Sequence, residues 1–288
     1  MAKSNNRLGI LLMCLTSLVF ALQDGLSRHL AENYNVFVVV MIRYWFFAAF
    51  VILMAMRNGG LGQAVRTKHP YLQIIRGLIL ALEICVTVAA FTLLGLTETH
   101  AIFACFPLMI AALSGPVLGE TVGIRRWFAI GLGAVGVLVI LRPGNGVFAP
   151  AAAVPLLGAA MFAAYHLMTR YVAIKDSTAT SFFYTGVSGC VVMTVIGLFY
   201  WQPIVGTDLV WMLILSCGAL VGHWLLIKTY EYAEASVVQP FAFLQLPFAV
   251  ILGIAFFAET LRINVAMGAS IVVCAGVFTL WREHHQGP

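Results

Sequence analysis

Charge is what this sequence has least of. Asp, Glu, Lys and Arg make up 9% of its 288 residues, against about 25% in soluble domains. So little charge, with 62% hydrophobic residues and a mean hydropathy of +0.98, excludes an ordinary soluble enzyme or binding module. The few Lys and Arg are scattered between apolar runs. No basic stripe is available to track phosphates, so nucleic acid is not an expected partner despite a net charge of +5. No CxxC pair occurs. The six cysteines, Cys14, Cys85, Cys105, Cys190, Cys217 and Cys274, all lie inside apolar runs, as small packing residues do; disulfides, a zinc site and any other metal are not expected. No phosphate-cradling Walker motif and no HExxH are present, which excludes direct use of ATP and that class of metalloprotease. Long polar segments are missing as well, leaving no room for an extramembrane domain. No cofactor is called for.

What is present is a series of apolar runs. A bilayer-spanning helix needs about 20 such residues. Ten runs meet that need, near 8–28, 36–56, 71–95, 100–118, 124–141, 152–173, 179–200, 208–229, 236–257 and 263–281. The first follows Lys3 and Arg7 as in a signal peptide, yet it has no small-x-small cleavage site and is followed by further spans, so it reads as an uncleaved helix. Ten spans put both termini on one side. If that side is cytoplasmic, its ends hold Lys3, Arg7, Arg57, Arg66, Lys68, Arg76, Arg125, Arg126, Arg170, Lys175, Lys228 and Arg282. The other ends hold Arg28, Arg142 and Arg262, and Arg43 lies inside a span. Twelve against three predicts both termini inside.

The two halves resemble each other. "GPVLGETVGI" (115–124) parallels "IAFFAETLRI" (254–263), which aligns Glu120-Thr121 with Glu259-Thr260 at an offset of 139. "FALQDGLSR" (20–28) parallels "FAAYHLMTR" (162–170) at an offset of 142. Pro107 and Pro247 sit in the apolar runs before the two glutamates, and each glutamate precedes a span rich in small residues. Units of five spans each, residues 1–145 and 146–288, must enter the membrane with opposite orientation. Inverted repeats about an axis in the membrane plane are a transporter architecture. The expected fold is therefore an all-α polytopic membrane protein, its ten helices arranged as two inverted five-helix repeats.

These duplicated features resemble the EamA branch of the drug/metabolite transporter superfamily over nearly the whole chain. Within it, "LEICVTV" (82–88), "FAAYHLMTRY" (162–171) and "GHW" (222–224) are similar to bacterial aromatic amino-acid exporters of the YddG type. The resemblance implies a ten-helix basket around a central cavity, with the fifth helix of each unit at the periphery. It also implies export of amino acids, or of another small metabolite, across the bacterial inner membrane. A monomer or a homodimer is expected.

Polar groups at membrane depth are costly and face a cavity or a partner. That filter selects Glu83 near the middle of the third span, Tyr165 and His166 in the sixth, His223 and Trp224 in the eighth, and Gln245 in the ninth. Phe106, Phe162 and Phe243 join them as walls for an aromatic substrate. Pro107 and Pro247 are expected hinges, because each removes a helical hydrogen bond. Asp24 and Arg43, on adjacent spans at similar depth, form either a structural ion pair or a gate. Glu83 either bonds a neighbour or meets a substrate ammonium, and proton coupling through it or through the histidines stays open. Lone histidines and aromatics are also ordinary packing residues. "GLGAVG" (131–136) and "GASIVVCAG" (268–276) are close-packing faces.

Two rival readings remain. "GVSG" (186–189) has the form of an intramembrane serine protease motif, which would need Ser188 bonded to His223. A channel would need a filter loop or rings of like charge, and nothing in the sequence reads as either.

Overall fold

A computed structural model describes residues 5–120, 123–141 and 150–260, with 263, 264, 266–268, 270, 271 and 274 beyond them. Every element among these is helical. Lipid offers the backbone no hydrogen bonds, so apolar runs must satisfy their own N–H and C=O groups. The helices are α1 (Asn6–Asn33), α2 (Val36–Arg57), the short α3 (Leu61–Ala64), α4 (Pro70–Phe103), α5 (Phe106–Leu118), α6 (Ile124–Leu141), α7 (Ala153–Ala173), α8 (Thr178–Gly197), α9 (Asp208–Tyr232), α10 (Ala235–Ala242) and α11 (Gln245–Phe257). Among the described residues six stretches are long and apolar enough to cross a membrane, and the Pro70–Leu118 stretch holds two of the expected spans. Most of the tenth expected span lies outside the described residues. Helix starts follow local chemistry. Asn5, Asn35 and Ser177 each accept a backbone N–H from the first turn of α1, α2 and α8, and Pro70 opens α4, where its missing N–H costs nothing.

One expected loop is absent. Between the third and fourth spans the chain turns at a single residue, Gly95, with φ 82° and ψ 170°. Only glycine takes that conformation without strain, and a Cβ there would lie 2.9 Å from the Glu259 carboxylate. The fourth span is then broken in two, 96–103 and α5, and the ninth is broken into α10 and α11. Adding 139 to 96–103 and 106–118 gives 235–242 and 245–257, the bounds of α10 and α11. The left-handed cap residues Gly119 (φ 69°) and Ala258 (φ 50°) obey the same offset. Pro107 lies second in α5 and Pro247 third in α11. Each deletes the N–H that would have reached back across its break, to Phe103 and to Phe243 respectively.

The packing pairs the halves crosswise. α1 lies along α9 and α4 along α7, which are equivalent pairings under the repeat, while α2 packs on α8. Inside are Phe47, Phe91, Phe103, Phe162, Tyr165, Phe182, Tyr230 and Phe241, all nearly inaccessible. Outside are Leu53, Leu93, Phe128, Val191, Val221, Ile251 and Phe256, all exposed. An apolar exterior along whole helices is the surface a hydrocarbon solvent requires.

Candidate functional site

Where the broken helices cross the others, a small central cavity remains. Its wall comes from both halves: Phe20, Gln23 and Asp24 of α1, Arg43 of α2, Leu80, Glu83, Ile84, Thr87, Val88 and Phe103 of α4, Phe162 of α7, His223 of α9 and Gln245 of α11. Spacing explains the set. Phe20, Gln23 and Asp24, like Leu80, Glu83, Ile84, Thr87 and Val88, recur three or four residues apart and so share one helical face.

Asp24 and Arg43 do not pair with each other, which corrects one of the two expectations. The broken helices reach Asp24 instead: Gln245 Nε2 donates to its Oδ2 at 2.9 Å, and His100 Nε2 lies 3.2 Å from the same oxygen. Arg43, 6% exposed, has its Nη2 3.2 Å from His223 Nε2. Glu83 accepts from Thr87 Oγ1, one turn on, at 2.6 Å. The wall thus carries two acids and one arginine that is not consumed by either. Three buried atoms on it have no partner: both amide atoms of Gln23, and Nδ1 of His223. Such groups cost roughly 1–3 kcal/mol each when left unmet, so the wall presents hydrogen-bonding capacity to whatever enters.

Six expected residues therefore meet on this wall: Asp24, Arg43, Glu83, Phe162, His223 and Gln245. Phe106, Pro107 and Phe243 do not. They line a smaller adjoining pocket with His100, Phe103 and Gln245, at the junction of the two breaks. Tyr165 is displaced to a buried site beneath Arg76, whose guanidinium lies 5.3 Å from its ring. His166 is bonded through Nδ1 to the Tyr230 hydroxyl at 2.5 Å, with the Phe162 ring 4.3 Å away. Trp224 is 42% exposed; it follows an inward-facing histidine, and one residue is about 100° of helix. The protease dyad does not form. His223 meets Arg43, while Ser188 packs against Gly77 of α4.

Several buried polar residues were not expected. Arg76, counted above among loop-end charges, is 0% exposed. It donates to Gln73, to Thr169 Oγ1 at 3.1 Å and to the Ser181 carbonyl. Beside it, Asp176 in the α7–α8 turn accepts the Lys68 N–H at 2.8 Å, Gln73 Nε2 at 3.0 Å and the Thr67 hydroxyl. Burial raises its carboxyl, but these bonds outweigh burial and hold it below the usual range. Phe20, Thr87 and His100 also escaped notice, although the first two share a helical face with the acids that were selected.

The comparisons with known proteins agree with this architecture. Residues 7–142 match the model of the EamA-like transporter family. The first half is EamA-like. Over 275 residues the chain is 24% identical to a protein named S-adenosylmethionine uptake transporter from Rickettsia prowazekii (strain Madrid E), covering 96% of this chain and 93% of that one. It is 28% identical over 279 residues to a riboflavin transporter of Vibrio cholerae serotype O1, covering 95% and 93%. A solved crystal structure, 15% identical, superposes with a TM-score of 0.73 over 99% of this chain and 100% of the other, which shows the shared fold alone. Together these support a membrane transporter similar to the EamA-like family. These two relatives carry names of metabolite transporters, not of aromatic amino-acid exporters.

Proposed function

We propose that the chain is a secondary carrier for small amino-acid metabolites bearing an aromatic ring, the aromatic amino acids among them. It works by alternating access between two inverted five-helix repeats, residues 1–145 and 146–288. One observation carries the substrate class. Arg43, tied to no carboxylate, shares a cavity wall with Asp24 and Glu83 and with the rings of Phe20, Phe103 and Phe162. A zwitterion fits that wall, with its carboxylate on Arg43, its ammonium on Glu83 or Asp24 and its ring on the phenylalanines. S-adenosylmethionine, in the name of one relative, combines an aminocarboxylate with an adenine ring. With no ATP motif, net flux follows gradients. A cytoplasm that makes amino acids is the concentrated side, so the expected direction is export. The excess of Lys and Arg supports cytoplasmic termini in a bacterial inner membrane.

A second reading rests on Gln23, whose buried amide offers both a donor and an acceptor to the cavity. That pair matches the edge of a neutral fused heterocycle such as the flavin in the name of the other relative. Counterflow in proteoliposomes separates the two readings. L-phenylalanine, L-tyrosine, L-tryptophan, S-adenosylmethionine and riboflavin would be tested with and without a pH gradient. The aromatic amino acids are expected to exchange and to compete with one another. Exchange of riboflavin with no competition from any amino acid would replace the first reading by the second.

A further inference from the structure

Two glutamates outside the cavity are built into matching positions at opposite ends of the molecule. Glu259, just beyond α11, accepts the Leu96 N–H on Oε1 at 2.9 Å and the Thr97 N–H on Oε2 at 3.1 Å. Arg28 of α1 and the Thr97 hydroxyl bind the same carboxylate. Glu120, just beyond α5, accepts the Ala235 N–H on Oε1 at 3.2 Å and the Ser236 N–H on Oε2 at 3.1 Å. Arg170 Nε of α7 reaches Glu120 Oε1 at 2.9 Å. The backbone and arginine contacts correspond: Leu96, Thr97 and Glu120 become Ala235, Ser236 and Glu259 at an offset of 139, and Arg28 becomes Arg170 at 142. Each carboxylate sits on the first free N–H groups of a broken helix, where the helix dipole favours an anion.

Both contacts run between the halves. Glu120 belongs to the first half and holds the start of α10 and Arg170 of the second. Glu259 belongs to the second half and holds the fourth span and Arg28 of the first. They lie far apart. The Asn5 N–H bonds the Tyr232 carbonyl at 3.1 Å, three residues before Ala235, so the Glu120 site is at the N-terminal end of α1. Arg28 is 23 residues further along, ~35 Å at 1.5 Å per residue, comparable to a bilayer core. A broken helix whose first half is held at one end and whose second half starts beside the cavity can swing only if the hold at its end is released.

We propose that Glu120 with Arg170, and Glu259 with Arg28, are the two latches of the transport cycle. Each closes one membrane face by clamping the half-helix of the opposite repeat. They are positioning residues and touch no substrate. This rests on the alternating-access reading but not on any substrate, and the test needs none. The six cysteines would be replaced by alanine and a reporter introduced by Val88→Cys, on the cavity wall. A membrane-impermeant maleimide would then be applied separately to each face of sealed, oriented vesicles. Glu120→Gln is expected to raise labelling from the Glu120 face by roughly fivefold or more and to lower it from the other face. Glu259→Gln is expected to do the reverse. Arg170→Gln and Arg28→Gln should reproduce the two patterns, and they replace the glutamate variants if those fail to fold. Folded variants that both raise labelling from one face, raise it from both faces alike, or leave it unchanged would overturn the latches. Opposite shifts without any amino-acid exchange would leave the latches standing and refute the substrate assignment.

Discussion

The same backbone frame carries different chemistry in its two halves. Asp24 and His166 are equivalent at an offset of 142; His100 and Gln239, and Phe106 and Gln245, are equivalent at 139. At one of the two matching positions the result is an acid on the cavity wall, Asp24 of the first half held by Gln245 of the second with His100 beside it. At the other it is a neutral cluster, His166 on Tyr230, Tyr230 on Gln239, and the Phe106 ring 5.5 Å from the imidazole. The glutamate latches, by contrast, are kept in both. The clamps that close two faces must be duplicated, whereas a single substrate needs a single set of charges. The latches also differ in depth: the Glu120 side chain is 6% exposed and Glu259 17%.

Each variant below breaks or sharpens that contrast. The largest effect is expected at the charged wall. Arg43→Gln or Glu83→Gln should lower amino-acid counterflow roughly tenfold to a hundredfold, the worth of a charge-assisted hydrogen bond of ~1.5–3 kcal/mol. Gly95→Ala comes next. It forces a side chain into positive φ and against Glu259, and should lower unfolding stability by about 1–3 kcal/mol, read as a fall in Tm in detergent. The neutral cluster should matter less: His166→Gln is expected to change transport by no more than about threefold, since it removes one neutral hydrogen bond of ~0.5–1.5 kcal/mol.

A pH dependence separates latch from wall. Burial raises the Glu259 carboxyl, but bonds from Thr97, Leu96 and Arg28 overcome it and hold the group below its ordinary 4.5. A depressed acid stabilises the fold fully above its unfolded value and ceases to do so as pH falls through its folded value. The Tm gap between the parent and Glu259→Gln should therefore stay constant from neutral pH down to near 4.5 and close only below it. The smallest effect belongs to Trp224→Ala, which faces outward and should leave transport within about twofold.

Much of the frame was legible in the sequence. Apolar runs marked the helices because lipid admits little else, and the Glu and Arg positions that recur at a fixed offset make matching contacts. Six of the expected residues share the cavity wall because depth and helical spacing both constrain them. Hydropathy reports depth alone, so it could not tell that Trp224 points outward while its neighbour His223 points in. It placed a loop at the polar residues 97–99, whereas those residues are helical and the turn falls on Gly95 alone. Arg76 was taken for a loop charge because its partners, Thr169 and Ser181, are about a hundred residues away in sequence. The latches stayed hidden for the same reason: Arg28 and Glu259 are 231 residues apart, and each alone looked like a charge at a helix end.

The most direct test of the central claim is L-phenylalanine counterflow, measured side by side in proteoliposomes of the parent, Glu83→Gln and His166→Gln. The charged wall as the substrate site predicts an overshoot in the parent and in His166→Gln, and its near-loss in Glu83→Gln. An overshoot retained in Glu83→Gln and lost in a folded His166→Gln would contradict it.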